Sequence, residues 1–274
     1  MNYRHAFHAG NHADVFKHAA LALLLEHLRA KPQPFAVLDT HAGIGVYDLT
    51  SDQAQRSPEY REGVERVFGR ELAAAPDYSR LIAGMNPDEL RTYPGSPEIV
   101  RRLLREDDRL IACELHPEDA KALKARYRDE PRVAVHRRDG YEAIGALLPP
   151  PERRGLVFID PPFETADESQ RLVAAIKAGL KRWPTGIFAV WYPIKDRRIS
   201  TALSAAAAEA PFPKAVRAEL SPFLWEENSL PGSGLLVVNA PWTLDEKLAA
   251  LCDELVGVLG AGSGRWSVDQ LTPA

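Results

Sequence analysis

Cysteine is scarce in this 274-residue chain: there are two, Cys113 and Cys252, far apart, with Cys113 inside an apolar run. That argues against a disulfide framework and for buried thiols in a reducing compartment. Long apolar runs are missing as well. The longest early one, residues 19–25, falls well short of the ~20 apolar residues that a bilayer demands. The first residues, Met-Asn-Tyr-Arg-His, are polar and do not read as a signal peptide, so a cytoplasmic protein without membrane contact is expected. There is no excess of positive charge: 34 Lys and Arg face 38 Asp and Glu, a formal net charge of −4. This argues against broad coating of nucleic acid, which works through many phosphate contacts, but leaves room for a local basic face. Metal-ligand spacing is lacking too. Five of the eight histidines fall in the first 27 residues, and His8 and His12 are four apart, but no third ligand or nearby cysteine completes a site. No metal is expected. Nor is there an internal repeat or a low-complexity segment.

Hydrophobic residues make up 45% of the chain, enough for a sizeable core in one large domain, or one domain with an inserted piece. Apolar runs and helical patterns alternate. Strands are expected at 35–39, 110–114, 133–135, 156–159 and 187–191, with helices at 116–127, 141–148, 169–183 and 199–210 between and after them. Such alternation gives a mostly parallel sheet covered on both faces. A late strand pair, 215–220 and 235–239, has no helix between its members and predicts an antiparallel edge. A helix at 244–259 closes the chain. Ahead of the first strand, 14–30 reads as a helix with Asp14 as N-cap and a stripe of Leu21, Leu24, Leu25 and Leu28. After the first strand the chain detours. Residues 47–93 hold two amphipathic segments, one opening at Ser57-Pro58 and carrying Tyr60, Val64, Val67 and Phe68, the other at 77–84. This predicts a helical insertion in a main domain formed by 1–46 and 94–274. The delayed sheet-packing helix starts at Ser96, read as N-cap, with Pro97 in its first position.

The stretch from Gly155 to Phe163 organises the rest. A buried strand, 156–159, must stop at Asp160, because Pro161 and Pro162 offer no N–H to a ladder. A carboxylate, a rigid turn and the aromatic face of Phe163 are thus held at a strand's carboxyl end, where open α/β sheets bind ligands. Acceptors beside a stacking ring suit a planar amine such as a nucleobase. Asp39, Glu114, Asp139 and Asp160 end, or soon follow, four consecutive strands and form a row along one rim. Each has a task if the ligand is a nucleoside with an amino-acid tail. Glu114 is placed for the ribose hydroxyls, Asp139 beside Gly140 for the adenine edge, and Ser96 with the turn from Asp39 to Gly45 for the amino-acid end. That favours S-adenosylmethionine over a dinucleotide, since the turn lacks the third glycine of the pyrophosphate-binding fingerprint.

Asp160-Pro-Pro-Phe163 matches the (D/N)PP(Y/F/W) motif of amino-methyltransferases. Tyr3 to His18 (YRHAFHAGNHADVFKH), Leu38-Asp-Thr-His-Ala-Gly43, Tyr93-Pro-Gly-Ser-Pro97, Glu114-Leu-His-Pro117 and Trp191-Tyr-Pro193 resemble the bacterial 23S ribosomal RNA adenine-N6 methyltransferase family. The resemblance runs from Tyr3 to about Trp242. It implies a Rossmann-like class I S-adenosylmethionine-dependent methyltransferase sheet with one antiparallel edge strand. It implies 23S ribosomal RNA as partner, and a monomer is expected. By the same resemblance Asp160, with Pro161, Pro162 and Phe163, would be the catalytic motif. Lys17, His18, His41, Ser96, Glu114, Asp139, Gly140 and Asp160 would surround the cofactor. Tyr3, His5 and Phe163 would contact the target adenine, residues 1–18 forming a lid. His41 stands where methyltransferases in general carry glycine, and Phe163 replaces the commoner tyrosine. The insertion and the basic clusters, His136-Arg137-Arg138, Arg153-Arg154, Lys181-Arg182 and Arg197-Arg198, are expected to grip surrounding RNA. Alternatives are a DNA adenine-N6 methyltransferase, an idle RNA-binding module on the same fold, and a nicotinamide-dependent oxidoreductase.

Overall fold

The computed structural model describes residues 4–165, 167–194, 198–209, 212–223, 232–260 and 264–272. A one-turn 3-10 helix at His5–Phe7 leads into α1 (His12–Arg29), β1 (Ala36–Asp39) and β2 (Val46–Asp48). Then come α2 (Asp52–Arg56), a second 3-10 turn at Glu59–Glu62, α3 (Val64–Val67), α4 (Pro76–Met85) and β3 (Thr92–Pro94). The alternating part comprises α5 (Ser96–Leu103), β4 (Arg109–Glu114), α6 (Pro117–Arg126), β5 (Val133–Arg137), α7 (Gly140–Leu147), β6 (Gly155–Ile159), α8 (Glu168–Arg182), β7 (Ile187–Pro193) and α9 (Arg198–Glu209). The chain closes with β8 (Val216–Ser221), β9 (Ser233–Val238), α10 (Leu244–Leu259) and β10 (Arg265–Gln270).

Among the described residues, eight strands form one sheet in the order β10-β8-β9-β7-β6-β1-β4-β5. The five strands from β7 to β5 are mutually parallel. β9 pairs antiparallel with both β7 and β8, and β10 pairs antiparallel with β8. This is the expected Rossmann-like sheet, mostly parallel with antiparallel pairing at one edge. Every residue of β1, β6 and β9 is buried, which is why those strands read as unbroken apolar runs. β6 lies at the middle of the sheet, between β1 and β7, so its end opens at the centre of the rim.

Three local expectations are corrected. Asn11, not Asp14, caps α1: its side chain accepts from the Asp14 N–H at 2.9 Å. Gly95, not Ser96, is the N-cap of α5, and Ser96 lies in the first turn with its hydroxyl free of capping. The segment from Ser57 is not one helix but a 3-10 turn and the short α3, broken at Gly63. A Cβ on Gly63 would lie 2.0 Å from the Gly10 carbonyl oxygen, so the two backbones touch there and a continuing helix has no room. β2, β3 and β10 have no counterpart in the sequence reading.

The inserted stretch returns to where it left. β2 and β3 pair antiparallel, and the Gly95 N–H donates to the Gly45 carbonyl at 2.8 Å. α5 therefore starts beside the turn after β1 despite about fifty intervening residues. The insertion shares a core with the sheet: Val64, Val67, Tyr78, Leu81 and Ile82 pack in one cluster with the leucines of α1. This explains a helix buried all round. Fifteen residues of α1 are buried, because the sheet covers one side and the insertion the other. The polar residues Asp14, Lys17 and His18 are buried with them.

Candidate active site

A cavity of about 750 Å³ opens at the carboxyl ends of β1, β4, β6 and β7. Its wall includes His5, Lys17, His18, His41, Ser96, Glu114 and the whole Asp160–Phe163 turn. The structure thus gathers residues separated by up to 158 positions. Tyr3 lies outside the described residues. Asp139 and Gly140 are not on the wall. Asp139 caps α7, accepting from the Tyr141 and Glu142 N–H groups at 2.8 and 3.2 Å, and it also meets Arg171 at 3.3 Å. Gly140 packs against the chain after β1, where a Cβ would come within 2.3 Å of the Thr40 carbonyl oxygen.

Two carboxyls of the rim are built differently. Glu114 ends β4, and both its oxygens are anchored by backbone, Oε2 by the Gly43 N–H at 2.8 Å and Oε1 by the His116 N–H at 2.7 Å. Burial raises its pKa all the same. Asp39 ends β1 and has no solvent exposure. Its Oδ1 takes a 3.4 Å contact from the His41 N–H, and Oδ2 is buried without a hydrogen-bond partner. Burial pushes this carboxyl up to about 7, with the charges of Asp160 and Glu114 adding to the effect. Asp39 itself does not line the cavity, whereas His41 and Ser96 do.

The turn after β1 was expected to let a ligand reach backbone. Gly43 and Gly45 do adopt positive φ, +62° and +87°, but side chains already occupy the space a Cβ would take. At Gly43 the Tyr47 hydroxyl would be 2.3 Å away, at Gly45 the Tyr127 hydroxyl 2.8 Å. His41 is held by its Nδ1 contact to Thr40 Oγ1 at 2.8 Å and sits edge-on to Tyr141. Burial lowers its pKa, which keeps it neutral.

Lys17 is 4% exposed and lies between two carboxylates, 2.8 Å from Asp14 Oδ1 and 2.6 Å from Asp160 Oδ2. Burial alone would pull its pKa down; the two acids outweigh burial and raise it, so the ammonium stays charged. The ammonium also lies 4.9 Å from the centre of the Trp191 ring. Trp191 meets Phe163 edge to face at 5.8 Å. Phe163 has φ +52°, a left-handed conformation that a bulky residue adopts at a cost of about 1–3 kcal/mol. Such strain is retained where the turn must aim a ring. From the next position of α1, His18 Nδ1 meets the Tyr93 hydroxyl at 2.9 Å, and Tyr93 meets Tyr78 at 3.2 Å. Burial lowers His18 to about 3, so it is neutral.

Sequence reasoning left Asp14, Trp191, Tyr93 and Glu168 out of the site. Glu168 accepts from the Tyr141 hydroxyl at 2.5 Å and from Thr165 at 3.1 Å, closing the wall behind the Asp160 turn. Asp14 was assigned to capping. The signal that marks it is its spacing of three from Lys17, which puts both on one helical face. Among the described residues no group of three or more His, Cys, Asp or Glu could hold a metal ion, and no helix is long and apolar enough to cross a membrane.

Residues 32–272 match the family model described as ribosomal RNA large subunit methyltransferase D, RlmJ. Two similar proteins, each named ribosomal RNA large subunit methyltransferase J, are 39% identical to this chain and come from Haemophilus influenzae and Escherichia coli. Both alignments cover 100% of this chain and 99% of the relative. A crystal structure of a Legionella pneumophila protein is 35% identical, with a TM-score of 0.89, covering 96% of this chain and 98% of that one. The matched span takes in every strand of the sheet, the carboxylate rim and the Asp160–Phe163 turn, and the chain belongs to the RlmJ family of ribosomal RNA large-subunit methyltransferases.

Proposed function

We infer that the chain transfers a methyl group from S-adenosylmethionine to the N6 amine of one adenine in 23S ribosomal RNA. The observation that carries this reading is the Asp160–Phe163 turn. It sets a carboxylate, two prolines and a strained aromatic ring at the end of the central strand, on the wall of a cavity large enough for a nucleoside. Membership of a ribosomal RNA methyltransferase family supports the substrate class. An rRNA substrate goes with a cytoplasmic site of action.

The residues present fit the cofactor. Glu114, anchored through both oxygens, retains lone pairs for ribose hydroxyls. Ser96 and His41, both on the cavity wall, fit the polar amino-acid tail. When bound, the sulfonium of S-adenosylmethionine supplies an electrophilic methyl group. The protein's task is the amine. An adenine N6 lone pair is delocalised into the ring and is weakly nucleophilic. Asp160 and the Pro161 carbonyl each accept one N–H, which draws the nitrogen toward tetrahedral geometry and localises its lone pair. Phe163 stacks the base and fixes its approach. Asp160 is then the nearest acceptor for the proton that the methylated amine sheds. Most of the acceleration is positioning and acceptor electrostatics. An adenine in stacked RNA must first be flipped out, and the cavity provides the receiving pocket. Residues 47–93 serve as an inserted subdomain that braces α1, and hence Lys17 and Asp14, from behind.

The test is methyl transfer to unmodified 23S rRNA with mass-spectrometric mapping of the product. N6-methyladenine at one position is expected from the wild type. Asp160→Asn should lower kcat by about 10²–10³-fold. A methylated base other than adenine, or full activity of Asp160→Asn, would sink the assignment.

A further inference from the structure

Asp14 takes no direct part in the chemistry above, yet three groups converge on it. It is fully buried. The Gly10 N–H donates to Oδ2 at 2.8 Å, and His5 Nε2 meets the same oxygen at 2.9 Å. Lys17 pairs with Oδ1 at 2.8 Å, and the same ammonium reaches Asp160 at 2.6 Å. Capping of α1 does not require this carboxylate, because Asn11 already supplies the cap. What the geometry builds is an unbroken series of polar contacts, His5 to Asp14 to Lys17 to Asp160, from the N-terminal segment to the acceptor.

We propose that Asp14 is a positioning residue for the methyl transfer: it shares the charge of Lys17, leaving Asp160 available to the target amine, and it links the seating of the His5 segment to that acceptor. The proposal rests on the amine-methylation reading given above. Lys17 holds one positive charge between two acids, with almost no water to screen it. If Asp160 were its sole counter-ion, Asp160 could turn to the amine only by leaving a buried cation unpaired, which is strongly unfavourable. With Asp14 in place, Lys17 keeps a partner while Asp160 engages N6. His5 and Gly10 both hold Oδ2, so they fix which way Oδ1 faces Lys17. Displacing the 5–7 turn therefore changes how the Lys17 charge is divided.

Asp14→Asn preserves size and an acceptor for the Gly10 N–H but removes the charge. With unmodified 23S rRNA, its kcat should fall about 10–100-fold, the scale of a misplaced reacting group. The calorimetric Kd for S-adenosylmethionine and the KM for RNA should stay within about threefold, the pattern of a contribution made in the transition state. A merely structural role would not produce this split. A double-mutant cycle gives the second readout. His5→Ala should cost at least about fivefold less in the Asp14→Asn background than in the wild type, because the segment acts through this carboxylate. Asp14→Glu, which keeps the charge, should recover part of the loss, and it replaces Asp14→Asn in the cycle if a thermal melt shows the latter unfolded. Wild-type kcat in Asp14→Asn, or losses from the two substitutions that simply multiply, overturns the proposal. A wild-type enzyme that leaves N6 unmethylated while binding S-adenosylmethionine removes the amine reading itself, and this one with it. The wild-type reaction therefore separates the two failures.

Discussion

Asp39 and Glu114 show how neighbouring carboxyls acquire different roles. Glu114 is solvated by backbone N–H groups, whereas Asp39 keeps one oxygen with no partner. Asp39 therefore titrates near neutrality in the folded protein, at about 7, and near 4 in the unfolded chain. Its folded value is raised, so between those limits the folded state holds the extra proton and stability falls as pH rises from about 4 to 7. Asp39→Asn should flatten that fall. Urea melts at pH 5 and pH 8 should show the variant gaining at pH 8, by up to ~4 kcal/mol. Equal pH slopes in variant and wild type would contradict this. Phe163→Ala removes the stacking face but none of the acceptors. It should raise the RNA KM by 1–3 kcal/mol equivalents, about 5–150-fold, with a smaller effect on S-adenosylmethionine binding. At this scale the motif residues were legible, because proline and strand chemistry dictate where Asp160 must stand. Trp191 and Asp14 were not: a ring in a strand and an acid in a first turn have common structural uses. Only their contacts with Lys17 distinguish them.

At the scale of elements, α1 is the departure from pattern. Helical periodicity identifies it, but a stripe of leucines describes a helix on a surface, and this one is enclosed by the sheet and the insertion. Its buried His18 leans on Tyr93 and Tyr78, which come from β3 and α4. Tyr93→Phe leaves His18 Nδ1 and the Tyr78 hydroxyl without that partner. It should cost ~1–3 kcal/mol in a urea melt, the price of a buried polar group left unsatisfied. The reading of Asp14 and Ser96 as caps failed for one reason. Each is a good capping residue within three positions of another, Asn11 or Gly95, and the backbone path decides which one caps. β10 was missed because Arg265–Gln270 mixes charged and polar residues, as an edge strand with one solvated side does. It covers β8 along six residue pairs. Deleting residues 264–274 should expose the β8 ladder and lower Tm, with aggregation seen by light scattering. An unchanged Tm would mean that the edge is already protected.

For the whole molecule, charge is distributed by sheet polarity. Arg137 ends β5 and Arg138 follows it at the carboxyl rim, on the side of the cavity. Arg153 and Arg154 precede β6, and Lys181 and Arg182 precede β7, so both pairs lie at the opposite end of the strands. Arg197 is outside the described residues. The described basic clusters therefore lie at both ends of the strands rather than on one face. The insertion is a poor candidate for phosphate contact, carrying six arginines, no lysine, and nine acids within 47–93. On a short RNA hairpin bearing the target, Arg137→Glu with Arg138→Glu should raise KM by about tenfold, the loss of two phosphate contacts, and flatten the salt dependence. Arg153→Glu with Lys181→Glu should leave KM within about twofold, since these residues lie at the end of the strands opposite the cavity. The opposite ranking would place the RNA across the amino ends of the strands.

By itself the sequence determined the alternation of strands and helices from β1 and β4 to β9, the Asp160 turn and the row of strand-end carboxylates. These follow from local causes: apolar periodicity, proline's missing N–H, and the rule that acids after buried strands emerge at one rim. Tertiary structure alone decided which acids face the cavity. Asp139 is consumed by a helix end, Asp39 is left half-satisfied, and Asp14 is drawn into the charge around Lys17. The reason is that a carboxylate's role depends on what solvates it. Lys17 reaches Asp160 and Arg171 reaches Asp139 from far along the chain, and only the packed fold brings these partners together.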